Sequence, residues 1–92
     1  MGLWMEWEVA GIAAAGEDVL DTEGAARALD LSIDRIRERA GLNVTQDRML
    51  FHEAVEARRR LLAEGHTAVH EGRPWSVVVG NVRVSLTPAD HV

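Results

Sequence analysis

The chain contains no cysteine, which removes disulfides, thiolate metal sites and cysteine nucleophiles together. It also contains no lysine: its ten basic residues are all arginine, a bias that a GC-rich genome produces by itself. No apolar run approaches the roughly 18–20 residues needed to span a bilayer. Met1 to Glu8 carries two glutamates and no basic residue, so the positive start of a secretory signal is missing. The cytoplasm is therefore the expected compartment, and no membrane partner is expected. At 92 residues and 10.1 kDa the chain is too short for a two-domain enzyme, and residues 1–92 read as one small domain. A domain this size buries only about 60–70% of the surface its unfolded chain exposes. Its stability is modest unless a partner or a second copy adds to it.

Apolar residues at 47% and charged residues at 27% exclude wholesale disorder. The net charge of −5 is unevenly placed. Glu6, Glu8, Glu17, Asp18, Asp21 and Glu23 give residues 1–24 a charge of −6 with no arginine, whereas the rest of the chain is close to neutral. Such a segment repels phosphate and attracts a basic protein surface, or it is a solvated face that aids solubility.

Residues 1–20 form this acidic, tryptophan-bearing segment, with either a short helix or a strand over 3–10. Asp21 or Thr22 can cap a helix from about Glu23 to Asp30, and Ser32 can cap a second, Ile33 to Ala40, ended by Gly41. Asn43 or Thr45 can cap a third, about Gln46 to Glu64, ended by Gly65. Its apolar stripe is Leu50, Phe51, Ala54, Val55, Ala57, Leu61 and Leu62. The period then changes to two. Trp75, Val77 and Val79 alternate with Ser76 and Val78, and Val82, Val84 and Leu86 alternate with Arg83 and Ser85. Gly80-Asn81 between them suits a two-residue hairpin loop. A further strand is placed over Thr67 to Glu71. The expected fold class is α+β: helices over 21–64 packed on a hairpin or three-stranded antiparallel meander over 66–87.

The run AARALDLSIDRIRERA places Ala26, Asp30, Leu31, Ser32 and Ile36 at helix-turn-helix spacing. Residues 22–40 thus resemble the helix-turn-helix unit of small regulators and excisionase-like proteins. Asp30 stands where glycine is commonest, and Arg39 where a second buried aliphatic is usual. The resemblance implies a DNA-binding regulator, dimeric, with Ser32, Arg35, Arg37 and Arg39 on the recognition helix. An ordinary helical hairpin is the alternative. More loosely, LSIDRIRERAGL together with HEGRPWSVVVGNVRVSLTPADHV is similar to a family of small uncharacterised bacterial domains. That family carries no activity to transfer.

Catalytic chemistry finds little support. Ser32 reads as a cap, and Ser76 and Ser85 as strand residues, with no glycine-flanked elbow. His66 and His70, on a strand, lie roughly 13 Å apart, too far to share an ion. His52 reads as a half-buried helix residue beside Phe51 and Val55. A ribonuclease toxin would need His66, His70 or His91 as acid or base and Arg73 or Arg83 on phosphate, and it ranks behind the binding readings. In Arg58-Arg59-Arg60, helical pairing of Glu56 with Arg60 and Arg60 with Glu64 gives a self-paired face. No enzyme activity, cofactor or metal is expected. Trp4 and Trp7 are either interface anchors or the closure of a thin core, and Trp75, a further candidate anchor, enters the hairpin.

The leading expectation is a small acidic protein-binding module. It would contact a protein partner with a basic surface through Trp4, Glu6, Trp7, Glu8, Glu17, Asp18 and Trp75, with a homodimer possible through an unpaired strand edge. By type it resembles the small acidic inhibitors of phages and mobile elements, anti-CRISPR-like or antitoxin-like, which would occlude a nucleic-acid-binding surface.

Overall fold

A computed structural model describes residues 2–89. The fold is α+β: two long helices cover one face of a four-stranded antiparallel sheet. In chain order the elements are β1 (Gly2–Val9), β2 (Ala13–Val19), α1 (Thr22–Arg39), α2 (Val44–Arg60), a π-helical turn (Leu61–Gly65), α3 (His66–His70), β3 (Trp75–Val79) and β4 (Val82–Ala89). The strand order β2-β1-β4-β3 puts the first and last strands side by side in the middle of the sheet.

The N-terminal segment is a hairpin, which raises the strand count above the expected two or three. In β1, Leu3, Met5, Trp7 and Val9 turn inward while Trp4, Glu6 and Glu8 face away from the helices, the period-two pattern of a half-covered strand. Strand β2, with sequence AAAGEDV, has no apolar alternation of its own. It is a strand because β1 pairs with it from Leu3↔Val19 to Val9↔Ala13. The C-terminal hairpin forms as the alternation requires. Val79 pairs with Val82, and Gly80 supplies the positive φ (59°) at the first loop position while Asn81 has none, the type II′ arrangement.

Helix α1 runs unbroken through residues where two helices with a turn at Asp30 were expected. The buried positions Ala25, Ala26, Leu29, Ile33 and Ile36 keep one helical period across Asp30–Ser32, and neither glycine nor proline interrupts them. Ser32 is therefore no cap; its Oγ donates to the Ala28 carbonyl one turn back, at 2.9 Å. Asp21 is the cap, accepting from the Gly24 amide at 2.8 Å. Asn43 caps α2 with a full capping box: its side chain accepts from the Gln46 amide, and the Gln46 side chain accepts from the Asn43 amide.

Helical structure continues past Gly65, so the expected helix end there and the expected strand over 67–71 are both corrected. Gly65 is glycine because Trp75 and Leu86 press on it: a Cβ there would lie 3.1 Å from Trp75 Cε3 and 3.3 Å from Leu86 Cδ1. The real stop is Gly72. Arg73 N–H donates to Ala68 O at 2.9 Å and Gly72 N–H to Val69 O at 3.0 Å, a Schellman motif with Gly72 at φ 77°. The core joins the inward residues of β1, β3 and β4 to α1 and to Leu50, Ala54, Ala57 and Leu61. Phe51 and Val55, expected in that stripe, lie on its exposed flank.

Candidate functional site on the outer face of the sheet

With both helices on one face, the other face of the sheet is open. The cross-strand register sets its side chains in rows: Asp18, Trp4 and Thr87; then Gly16, Glu6, Ser85 and Ser76; then Ala14, Glu8, Arg83 and Val78. Trp4, 39% exposed, anchors the first row. Its Nε1 donates to Glu6 Oε2 at 3.0 Å. Its indole lies against Gly16, where a Cβ would come within 2.6 Å of Trp4 Cζ2. Only a residue without a side chain lets the ring rest there. Asp18 stands directly across from Trp4 in the register. A shallow depression of about 510 Å³ opens beside the ring, bounded by Glu6, Gly16, Arg83, Ser76 and Ser85.

Of the seven residues expected to bind protein, the fold gathers four here: Trp4, Glu6, Glu8 and Asp18. Glu8 is already taken by Arg83 of β4, at 2.6 Å. The other three lie elsewhere. Trp7 is 8% exposed and belongs to the core, because alternation turns it to the helix side of β1. Its buried Nε1 finds no hydrogen-bond partner among the described residues. Trp75 is half-buried against Gly65. Glu17 lies one residue out of phase with Asp18 and so lines the groove between β2 and α1, which Arg27 and Arg35 also line.

The arginines expected on a recognition helix have other surroundings. Arg37 makes a two-pronged bond to Asp47, Nε to Oδ1 at 2.8 Å and Nη2 to Oδ2 at 2.9 Å, and its guanidinium lies 4.9 Å from the Phe51 ring centre. The hydrogen bond from Arg37 holds the Asp47 carboxyl below its ordinary range, and Asp47 raises Arg37 in turn. Arg35 borders the β2–α1 groove, and Arg39 is exposed in the last turn of α1. In the triple-arginine run, Arg58 pairs with Asp30, Arg59 with Glu56, and Arg60 with Glu64. The expected Glu56–Arg60 pair is thus replaced by Glu56–Arg59.

His66 and His70 are corrected from a strand to a helix, which stacks their rings 6.1 Å apart rather than separating them. Nδ1 of His66 lies 3.2 Å from the Thr22 hydroxyl. Arg73 is paired with Glu71, and His91 lies outside the described residues. His52 is exposed rather than half-buried. Among the described residues no three His, Cys, Asp or Glu gather to hold a metal ion. Nor is any helix among the described residues long and apolar enough to cross a membrane. Sequence reasoning missed Gly16, Ser76 and Ser85 as parts of this face. Gly16 sits in a segment with no strand signal, and only the register reveals what it lies beneath.

Compared with known proteins, the chain matches no family model, no curated protein and no solved structure.

Proposed function

We propose that this protein is a non-enzymatic binding module that takes an arginine- or lysine-bearing segment of a basic protein on the outer face of its N-terminal hairpin. The observation that carries the reading is the placement of Trp4, seated on Gly16 with Glu6 on its indole N–H and Asp18 across from it. A half-exposed indole flanked by carboxylates is a good receiver for a guanidinium or ammonium group, joining cation–π attraction to charge. The −6 charge of residues 1–24 steers such a segment inward over the Debye length, about 8 Å at physiological ionic strength. If the partner's basic surface is itself a nucleic-acid-binding groove, the module acts by covering it. The helix-turn-helix alternative is not carried forward, because α1 has no turn and Arg37 is engaged with Asp47.

Affinity capture from the native host, with nuclease present, followed by binding kinetics on the captured partner, tests this. Trp4→Ala is expected to weaken binding by about 30-fold, the effect of losing a hot-spot tryptophan. Glu6→Gln with Asp18→Asn is expected to slow association, most at low salt. A partner that binds all three forms equally, or recovery of a specific DNA that nuclease abolishes, contradicts the proposal.

A further inference from the structure

We propose that β3 is a seam through which two copies of this chain pair, joining their sheets into one of eight strands. The inference rests on the sheet edge opposite the acidic hairpin and is independent of the function proposed above. Across a two-residue turn the residues flanking the loop form a hydrogen-bonded pair, so Val79/Val82, Val77/Val84 and Trp75/Leu86 exchange their backbone bonds within the hairpin. The amides and carbonyls of Ser76 and Val78 therefore point away from β4, toward the free edge.

An antiparallel copy centred on Val77 satisfies all of them. Ser76 then faces Val78 of the partner subunit and Val78 faces Ser76 of the partner subunit, each pair exchanging both backbone bonds. The same register sets Trp75 beside Val79 of the partner subunit on the helix side, an aromatic–β-branched pair, and the two Val77 side chains beside each other. Trp75 and Val79 are both half-buried in one copy, and Val78 is 64% exposed, so each has surface left to cover.

Charge points the same way. The strand WSVVV carries no charged residue, no proline and no bulge, the devices that normally blunt a sheet edge. In the paired sheet the two β2 strands are the outer edges, seven strand spacings apart, roughly 34 Å at about 4.8 Å each. That is about four Debye lengths, so the acidic segments do not oppose the pairing. Pairing through β2 instead would bring two copies of Glu17 and Asp18 together.

Light scattering and sedimentation over a concentration series test the seam. The wild-type mass is expected to rise from 10.1 kDa toward twice that value. Val78→Lys, at an exposed position, is expected to keep the monomer's fold by circular dichroism and to stay monomeric, while Val78→Thr still pairs. Hydrogen exchange gives a second readout on unaltered protein: the amides of Ser76 and Val78 gain protection as concentration rises. A strict monomer up to about 1 mM, a dimer unaffected by Val78→Lys, or a dimer abolished by Ala14→Lys on the β2 edge overturns the proposal.

Discussion

The two hairpins of this sheet share a topology and differ in what their residues do. In β3–β4 the inward residues Val77, Val82, Val84 and Leu86 are buried, the last three wholly enclosed, with Trp75 and Val79 half-buried beside them. In β1–β2 only β1 contributes fully to the core, and β2 presents small or acidic side chains that are mostly exposed. Apolar area removed from water is the main source of stability. The C-terminal hairpin and β1 therefore hold the fold on the sheet side, while β2 is held by its backbone pairing with β1. What β2 contributes is a platform: Gly16 beneath Trp4, and Asp18 beside it. A segment that stabilises little is free to be shaped for contact.

The contrast can be broken first where it predicts most. Leu86→Ala, in the wholly enclosed centre of β4, is expected to cost about 2–5 kcal/mol in urea unfolding. Ala14→Ser on β2 is expected to stay within about 0.5 kcal/mol. Comparable costs at the two sites would remove the distinction. Gly80→Ala comes next. It forces a side chain into positive φ and against the Glu53 carboxylate, which accepts from the Asn81 amide at 3.1 Å. The expected loss is about 1–2 kcal/mol.

Gly16→Val sharpens the comparison from the other side. The new side chain occupies the space of the indole, so Trp4 must leave its seat. Stability is expected to change by less than about 1 kcal/mol, while binding of the basic partner falls as it does for Trp4→Ala. A Gly16→Val protein that binds normally would show that the seated ring is not needed.

The smallest effect concerns the helices. Arg37 and Asp47 tie the end of α1 to the start of α2, with side chains about one-third exposed. The Asp47 carboxyl is depressed in the folded chain, chiefly by its hydrogen bond to Arg37. The stability it adds is therefore present above the unfolded value, about 3.9, and is lost as pH falls through the lower folded value. Asp47→Asn is expected to be slightly less stable than wild type at pH 7 in denaturant titrations. The difference should vanish near pH 2, and a gap unchanged between the two pH values would show that the pair is not responsible.

Much of this architecture was legible before the structure. Alternation over residues 75–86 with Gly80-Asn81 identifies the C-terminal hairpin, because side-chain period and turn chemistry agree. The caps were legible to within two residues, Asp21 against Thr22 and Asn43 against Thr45, and the structure takes the first of each pair. The misreadings have physical causes. Gly65 looks like a helix stop, yet it is small for the sake of Trp75, ten residues later in the chain. Thr67-Ala68-Val69 has some β propensity but follows a helix that packs on, and tertiary contact decides. The spacing Ala26, Leu29, Ile33, Ile36 was one helix all along, and the turn signal at Asp30 was too weak to interrupt it. The candidate site was half legible. Trp4 and its carboxylates stand out by type, but splitting Asp18 from Glu17 and Trp4 from Trp7 requires the strand register, and β2 does not announce itself as a strand.

The most direct test of the account follows the ¹⁵N-labelled protein by NMR as an arginine-rich peptide is added at low and then physiological salt. The account predicts shifts at the Trp4 indole N–H and at the amides of Gly16 and Asp18, weakening as salt rises. Shifts centred on the groove of Arg27 and Arg35, or none on the outer face of β1–β2 at low salt, would contradict it.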